Sequence, residues 1–259
     1  MEVHVLRLVD NTRRAQFRDG TSGPRVLVTS VRLPSRGRPP FPLIVFAHGF
    51  ALRPATYTRL LDAWTRAGFI VAAPSFPVEN ADAPGGPDQG DLLNEPRDMS
   101  FVLSKLLAPR SRWRSLIDSH AIAFAGQSDG AVAAFAAAFD PRFADRRVDA
   151  ALVLSGAAPA GFTRAAPRSP PLLAVQGTAD PINPPGDTDA YFRLMPRPKF
   201  LLRLLGASHL PPYTTADRWS SVVIRATGAF LRHYLRGAPL RPLLAAGSRA
   251  GTAQLVSDP

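Results

Sequence analysis

Short apolar runs separated by helical stretches recur along the chain, and this alternation constrains the fold more than any other feature. Continuous runs such as LIVFA at residues 43–47 and FIVAA at residues 69–73 are typical of strands buried on both faces. Further strands are predicted at residues 122–125, 150–154, 172–176 and 199–204. Helical spacing is found at residues 55–67, 96–107, 130–139, 187–194 and 216–235. The alternation predicts an α/β fold with a mostly parallel central sheet and helices on both faces.

Both ends of the chain depart from this alternation. Residues 3–9 and 25–33 surround a polar turn and predict an antiparallel start to the sheet. The tail after Gly237 is rich in small residues and weakly patterned, which favours a loosely packed or partly disordered extension. We therefore expect a single domain over residues 1–236 and a C-terminal extension over residues 237–259.

Within the domain, residues 74–90 are rich in Pro and Gly and have no periodicity. They predict a long loop, and long loops in compact domains tend to be functional. Residues 156–170, which follow the strand ALVLS, are too few to form an inserted cap domain. We expect an open site without a large cap.

The composition excludes several classes of protein. Hydrophobic residues make up 46% and charged residues 20% of the chain, as in ordinary soluble globular proteins. There is no cysteine, which rules out disulfides, thiolate metal sites and cysteine nucleophiles. No apolar run is long enough to cross a bilayer, and residues 1–10 do not resemble a signal peptide. A cytoplasmic location is favoured slightly over secretion with a leader outside this sequence.

The net charge of +11 comes mostly from arginines spread along the chain. Nucleic-acid binding would need a basic patch with interleaved aromatic residues, and the sequence contains no such patch. We expect no nucleic-acid partner, although the charge favours anionic surfaces or substrates. A high content of Arg, Ala and Pro is typical of a GC-rich, bacterial genome.

The sharpest chemical signal is GQSDG at residues 126–130, which follows the apolar strand IAFA and precedes an Ala-rich helix. A serine at such a strand-to-helix turn is exposed above the sheet, and flanking glycines leave room for the tight bend. The motif predicts Ser128 as a nucleophile. The N–H of Asp129, at the start of the helix, is the predicted first donor of an oxyanion hole.

A second signal is the sequence His48-Gly49-Phe50, directly after the strand LIVFA. An acyl-transfer site needs an N–H donor opposite the nucleophile turn, and we assign it to the backbone of Phe50. His48 is expected to hold this loop by hydrogen bonding instead of transferring protons.

A serine nucleophile also needs a base and an acid that orients the base. Asp180 follows the strand LLAVQ, and His209 follows the strand FLLRLL, so both are placed at the carboxyl edge of the sheet. The chain order Ser, Asp, His is the one this geometry expects. No His, Asp and Glu residues have metal-ligand spacing, so we expect neither a metal nor another cofactor.

These motifs, together with AGFIVAAPSFP and NEPRDMSFVLSKL, resemble the α/β-hydrolase superfamily. The branch is the one that contains dienelactone hydrolases, platelet-activating-factor acetylhydrolases, chlorophyllases and bacterial polyester hydrolases. The resemblance covers about residues 26–235. It implies the α/β-hydrolase fold and hydrolysis of a small-molecule or polymeric carboxylic ester through an acyl-enzyme. The implied triad is Ser128, Asp180 and His209, with Phe50 and Asp129 as oxyanion donors.

The chain also differs from these families. Many relatives have a hydrophobic residue, often Met, where Asp129 stands, and secreted polyester hydrolases usually have a disulfide and a leader. Near the acyl or alcohol group we place Gln127, Ile182 and Leu210, with Phe50 beside them. Two alternatives stay open. One is a thioesterase, lactonase or peptidase with the same triad, and the other is a catalytically silent binding protein of this fold.

Overall fold

A computed structural model describes all residues 1–259, which build one nine-stranded sheet. The strands lie in the order β1-β2-β4-β3-β5-β6-β7-β8-β9, and those from β4 to β8 in this order are parallel. Their bounds are β1 Glu2–Gln16, β2 Ser22–Leu33, β3 Phe41–Ala47, β4 Ile70–Ser75, β5 Ile117–Gln127, β6 Ala150–Leu154, β7 Leu172–Gly177, β8 Lys199–Leu204 and β9 Ala253–Asp258. The predicted fold class, a mostly parallel α/β sheet, is confirmed.

Seven α-helices connect and cover the strands. They are α1 Thr58–Arg66, α2 Glu95–Leu106, α3 Asp129–Phe139, α4 Pro185–Leu194, α5 Pro211–Thr214, α6 Arg218–Arg236 and α7 Arg241–Gly247. Two short 3-10 helices, Pro54–Tyr57 and Gln89–Asn94, precede α1 and α2. None of the helices is long and apolar enough to span a membrane.

The sheet has a hydrophobic core on each face, which explains why its central strands are continuously apolar. On β3, the side chains of Leu43 and Val45 enter one core, whereas those of Ile44 and Phe46 enter the other. Helices α2, α3 and α4 cover the first face, and α1 and α6 cover the second. Burial on both faces explains the continuously apolar runs at residues 43–47, 122–125 and 150–154, which are usual in parallel sheets.

The antiparallel start of the sheet is as expected, but both of its strands are longer than the sequence pattern indicates. β1 pairs with β2 from Glu2 opposite Leu33 to Gln16 opposite Ser22, with a register shift after Asp10. The predicted loop after β4 is present over residues 76–88. No cap is inserted between β6 and β7, which residues 155–171 connect without a helix.

Residues 237–259 differ from the expected loose extension. Helix α7 buries Leu243 completely against the second core. Strand β9 pairs antiparallel with β8, from Ala253 opposite Leu204 to Asp258 opposite Lys199. Main-chain hydrogen bonds to an otherwise open sheet edge stabilise this strand, and such bonds leave little trace in the side-chain pattern.

A buried ion-pair cluster fastens the antiparallel strands to the parallel part of the fold. Arg25 on β2 is fully buried and donates to Asp91 at 2.6 Å and to Asp98 of α2 at 2.7 Å. Arg13 on β1 reaches the same Asp98 at 2.7 Å. The cluster therefore joins β1 and β2 to the segment that leads from β4 into α2.

Replacing Arg25 with Met leaves Asp91 without a cation and Asp98 with Arg13 alone. We expect the free energy of unfolding to fall by about 3–5 kcal/mol, the cost typical of a broken buried pair. The matched control is Arg53→Met, since Arg53 pairs with Asp82 on the surface and is expected to add little stability. Urea unfolding of both variants measures the difference, and equal losses would contradict a structural role for the buried cluster.

Candidate active site

The predicted site residues meet at one edge of the sheet, where the central parallel strands end. Ser128 follows β5 and Phe50 follows β3, while Asp180 and His209 lie in the segments after β7 and β8. β5 lies next to β3 in the sheet, and β7 lies next to β8. The carboxyl edge of an open parallel sheet is the usual place for a site in this class of fold.

Ser128 occupies a strained turn between β5 and α3. Its backbone has φ 57° and ψ −125°, a conformation that residues other than glycine rarely adopt. Its N–H donates to Leu154 on β6 at 3.0 Å, and its carbonyl accepts from Ala131 at 2.8 Å. These bonds hold the serine between strand and helix, with its side chain at the carboxyl edge.

The two glycines of the motif allow this turn because a side chain at either would overlap the backbone. A Cβ on Gly126 would collide with the carbonyl of Gly130, and a Cβ on Gly130 would collide with the carbonyl of Ala47 at the end of β3. The motif therefore lets α3 begin directly against two strands.

Asp180 and His209 form a buried, hydrogen-bonded pair. His209 Nδ1 lies 2.8 Å from Asp180 Oδ2, and the two residues are only 6% and 5% exposed. The other oxygen of Asp180 accepts the N–H groups of Ile182 and Asn183 at 2.9 and 3.0 Å. Asp180 is thus fixed on both oxygens and holds the imidazole by its Nδ1, which leaves Nε2 as the ring nitrogen that is not bound to the carboxylate.

The side chain of Gln127 contacts the imidazole and the backbone of His209. It is fully buried, and its Nε2 is 3.2 Å from His209 Nε2 and 3.4 Å from the carbonyl of His209. Its Oε1 accepts from the hydroxyl of Tyr57 at 2.7 Å. In this structure Ser128 Oγ makes no hydrogen bond to His209, and hydrogen bonds between a nucleophile and its base often form fully only when substrate is bound.

The loop after β3 packs directly against the nucleophile turn. A Cβ on Gly49 would lie 3.0 Å from the Cβ of Ser128, and the N–H of Gly49 donates to the hydroxyl of Tyr57 at 3.1 Å. The N–H of Phe50 has no acceptor in the protein. The N–H of Asp129 belongs to the first residue of α3, where helices leave donors unpaired. Both predicted oxyanion donors are therefore available to a ligand.

His48 is buried and holds this loop. Its Nε2 accepts the N–H of Phe76 at 3.0 Å, and its Nδ1 lies 2.9 Å from the carbonyl of Gly49. Complete burial lowers the pKa of His48 to about 4, so the ring is neutral at physiological pH. These contacts fit the structural role that the sequence predicts for His48.

The remaining predicted substrate residues lie beside the acid and the base. Ile182 is 64% exposed, Phe50 is 40% exposed, and Leu210 is partly buried. Asp129 accepts from Gln89 Nε2 at 2.6 Å, and burial raises the pKa of its carboxyl group. The surface at this edge of the sheet thus combines exposed apolar side chains with one acidic group next to Ser128.

Two residues in this network were not anticipated from the sequence. Tyr57 joins the loop after β3 to Gln127. Gln176 donates to Asp180 Oδ2 at 3.3 Å, and the amide oxygen of Gln176 accepts from the hydroxyl of Thr188. A polar residue ending an apolar strand could have indicated Gln176. Tyr57 lies 70 residues from its partner Gln127 and carries no such signal.

Replacing Gly126 with Ala forces a methyl group into the carbonyl of Gly130. We expect a loss of at least about 3 kcal/mol in the free energy of unfolding, since overpacking against backbone cannot relax by side-chain rotation. Gly186→Ala is the control, because no atom lies within 4 Å of the added carbon. Denaturant titration of both variants tests this, and a stable Gly126→Ala protein would contradict the described packing.

The chain is similar to known proteins both in sequence and in structure. The chlorophyllase family model matches residues 11–182, about two thirds of the chain and a segment that includes Phe50, Ser128 and Asp180. The chain is also similar in structure to a ferulic acid esterase from Streptomyces cinnamoneus, with a TM-score of 0.72 and 22% sequence identity. That similarity covers 92% of this chain and 90% of the esterase.

No curated protein matches the chain in sequence. The structural similarity supports the α/β-hydrolase fold, and the family match extends over most of the residues that form the carboxyl edge. The chain therefore belongs to the chlorophyllase family, a group of ester hydrolases within the α/β-hydrolase superfamily.

Proposed function

We propose that this protein is a serine hydrolase that cleaves carboxylic esters through an acyl-enzyme, with Ser128, His209 and Asp180 as its triad. The observation that carries the proposal is the buried Asp180–His209 pair beside a serine on a strained strand-to-helix turn. In this arrangement Ser128 is the nucleophile, His209 is the base and Asp180 is the acid that orients the base. Family membership favours an ester as the substrate.

In the first step, His209 Nε2 takes the proton of Ser128 while Oγ attacks the ester carbonyl carbon. Asp180 keeps the proton of His209 on Nδ1, so that Nε2 presents its lone pair, and it stabilises the imidazolium that forms. The tetrahedral intermediate then collapses, and His209 gives the proton to the departing alcohol oxygen. An acyl-enzyme on Ser128 remains.

Water completes the reaction with His209 as the base again. It attacks the acyl carbon, and the acid leaves as Ser128 recovers its proton. In both steps the carbonyl oxygen gains negative charge, which the N–H groups of Phe50 and Asp129 are placed to stabilise. One such donor typically contributes a factor of about a hundred to a thousand in rate.

The surroundings of the triad favour an ester with an apolar portion. The side chains of Phe50 and Ile182 are exposed in the segments after β3 and β7, and no cap is inserted between β6 and β7. Exposed apolar residues beside an open site can contact an alcohol or acyl group of considerable size. We place Ile182, Leu210 and Gln127 near the acyl or alcohol group of the substrate. Gln127, which is buried, acts there through its contact with the imidazole of His209.

Ser128→Ala is expected to reduce hydrolysis of a short p-nitrophenyl ester by at least about a thousandfold, because no other group can form the acyl-enzyme. A fluorophosphonate probe should label the native protein at residue 128 and leave the variant unlabelled. Ser119→Ala is the control, since Ser119 lies on the same strand away from the site. Retention of most of the activity in Ser128→Ala would refute the nucleophile. Native protein that is inactive and unlabelled would support a silent binding protein.

Asp180→Asn is expected to lower kcat by about ten-thousandfold with a small change in KM, because the amide no longer favours the productive tautomer of His209. Asp187→Asn is the matched control, as Asp187 lies exposed in the first turn of α4. Steady-state kinetics of both variants measure the effect. Similar kcat values for the two would mean that another residue orients the base.

A further inference from the structure

Two of the three glutamates in the chain are fully buried beside the site, and neither takes part in the proposed reaction. Glu79 lies in the loop after β4, and Glu95 is the first residue of α2. No N–H or hydroxyl group in the protein donates to any of their four carboxyl oxygens. A buried carboxylate without a donor is costly, so these groups need another form of stabilisation.

The only partners within reach are other carboxyl groups. Glu79 and Glu95 lie within hydrogen-bonding reach of each other, and Glu79 also reaches the carboxyl group of Asp129. Two carboxyl groups can form a hydrogen bond only when one of them carries a proton. The three groups therefore form a row of hydrogen-bonded carboxyl groups, which we call the carboxyl chain. It begins at Glu95, passes through Glu79 and ends at Asp129.

Nearby cations do not neutralise this chain. Arg25 pairs with Asp91 and Asp98, and Arg13 pairs with Asp98 and Asp10, so three carboxylates already face these two positive charges. The carboxyl groups have no geometry that would hold a metal ion. Six charged or titratable groups surround the carboxyl chain. They are Asp91 of the 3-10 helix before α2, Asp98 of α2, Arg25 of β2, Arg13 of β1, His209 after β8 and Tyr57 of the 3-10 helix before α1.

These surroundings favour protonated glutamates. Burial raises the pKa of Glu79 to about 8, and the neighbouring Asp129 and Asp91 act in the same direction. Burial and the charge of Glu79 raise the pKa of Glu95 well above its ordinary value. At neutral pH, Glu95 can donate to Glu79, and Glu79 can donate to Asp129. Asp129 also accepts from Gln89 at 2.6 Å.

Glu79 also touches both halves of the predicted oxyanion hole. Its backbone carbonyl accepts the N–H of Ala51 at 3.0 Å, next to the donor Phe50. Its side chain reaches Asp129, whose backbone N–H is the second donor. One residue thus connects the loop after β3 to the turn after β5, at the two points that must stay aligned.

We infer that protonated Glu79 is a positioning residue of the oxyanion hole, which it holds together by donating to Asp129 while Glu95 donates to it. This inference rests on the proposed esterase function. When Glu79 loses its proton to solvent at alkaline pH, its donor bond to Asp129 is replaced by repulsion between two carboxylates. The two halves of the hole then lose their alignment, and transition-state stabilisation falls while ground-state binding is unaffected.

The test compares native protein with Glu79→Gln and Glu95→Gln, using Glu2→Gln on the exposed N-terminal strand as the control. An amide can still donate a hydrogen bond to Asp129 but cannot ionise between pH 6 and about 9. For native protein and the Glu2→Gln control, kcat on a p-nitrophenyl ester should be about tenfold lower at pH 9 than at pH 7, with constant KM. In Glu79→Gln that alkaline decline should disappear.

A second measurement needs no substrate. An acid whose pKa is raised on folding keeps its proton when the unfolded chain has already released it. The native Tm should therefore fall as the pH rises from the ordinary glutamate value of 4.5 towards about 8. This fall should be shallower in Glu79→Gln and in Glu95→Gln than in Glu2→Gln. Infrared spectra at pH 7 should show a protonated carboxyl C=O band that weakens in both buried variants.

The outcomes separate this inference from the proposed function. If Tm changed with pH by the same amount in all four proteins and their infrared bands were identical, the hydrogen bonds from Glu95 to Glu79 and from Glu79 to Asp129 would be refuted. A flat native kcat between pH 7 and pH 9, with the expected Tm slopes, would overturn the positioning role. An increase in native Tm on adding Ca²⁺ that Glu79→Gln lacks would show that the carboxyl groups bind a cation instead. Protein inactive on every ester, with the expected slopes and bands, would refute the esterase alone and support the carboxyl chain.

Discussion

The close approach of helix α3 to strands β3 and β5 is the constraint on which the site depends. Gly126 and Gly130 permit it, since any side chain there would occupy the space of a neighbouring carbonyl group. The approach places Ser128 in a strained conformation that costs on the order of 1–3 kcal/mol. The two apolar cores, which clamp the strands from both faces, stabilise the turn against relaxation.

The same close packing determines how polar groups can be accommodated. With both faces of the sheet apolar, most of the buried charged side chains lie at its carboxyl edge or around the antiparallel strands. Two arrangements reduce the free-energy cost of burying these groups. Arg25 is paired with Asp91 and Asp98, whereas Glu79 and Glu95 have no cation and favour their neutral forms.

The sequence predicted much of the site because its main residues follow strands of unmistakable pattern. Ser128, Asp180 and His209 each lie in the segment that follows a largely apolar strand, and parallel strands bring their carboxyl ends to one edge. The contacts of Gln127 and Tyr57 could not be predicted in this way. They depend on side chains that meet from segments 70 residues apart, and no periodicity records such a meeting. Strand β9 was missed for a related reason, since main-chain pairing with β8 forms it.

By itself, the sequence determined the parallel sheet, the strand-to-helix turn and the order of nucleophile, acid and base. These follow from local patterns, because burial on two faces and a tight turn demand particular residue types in particular positions. Only the tertiary structure decided what surrounds the nucleophile. In the sequence, Asp129 is a single acidic residue beside Ser128. In the fold it is the end of a buried carboxyl chain, because packing excludes the water and cations that would otherwise accompany Glu79 and Glu95.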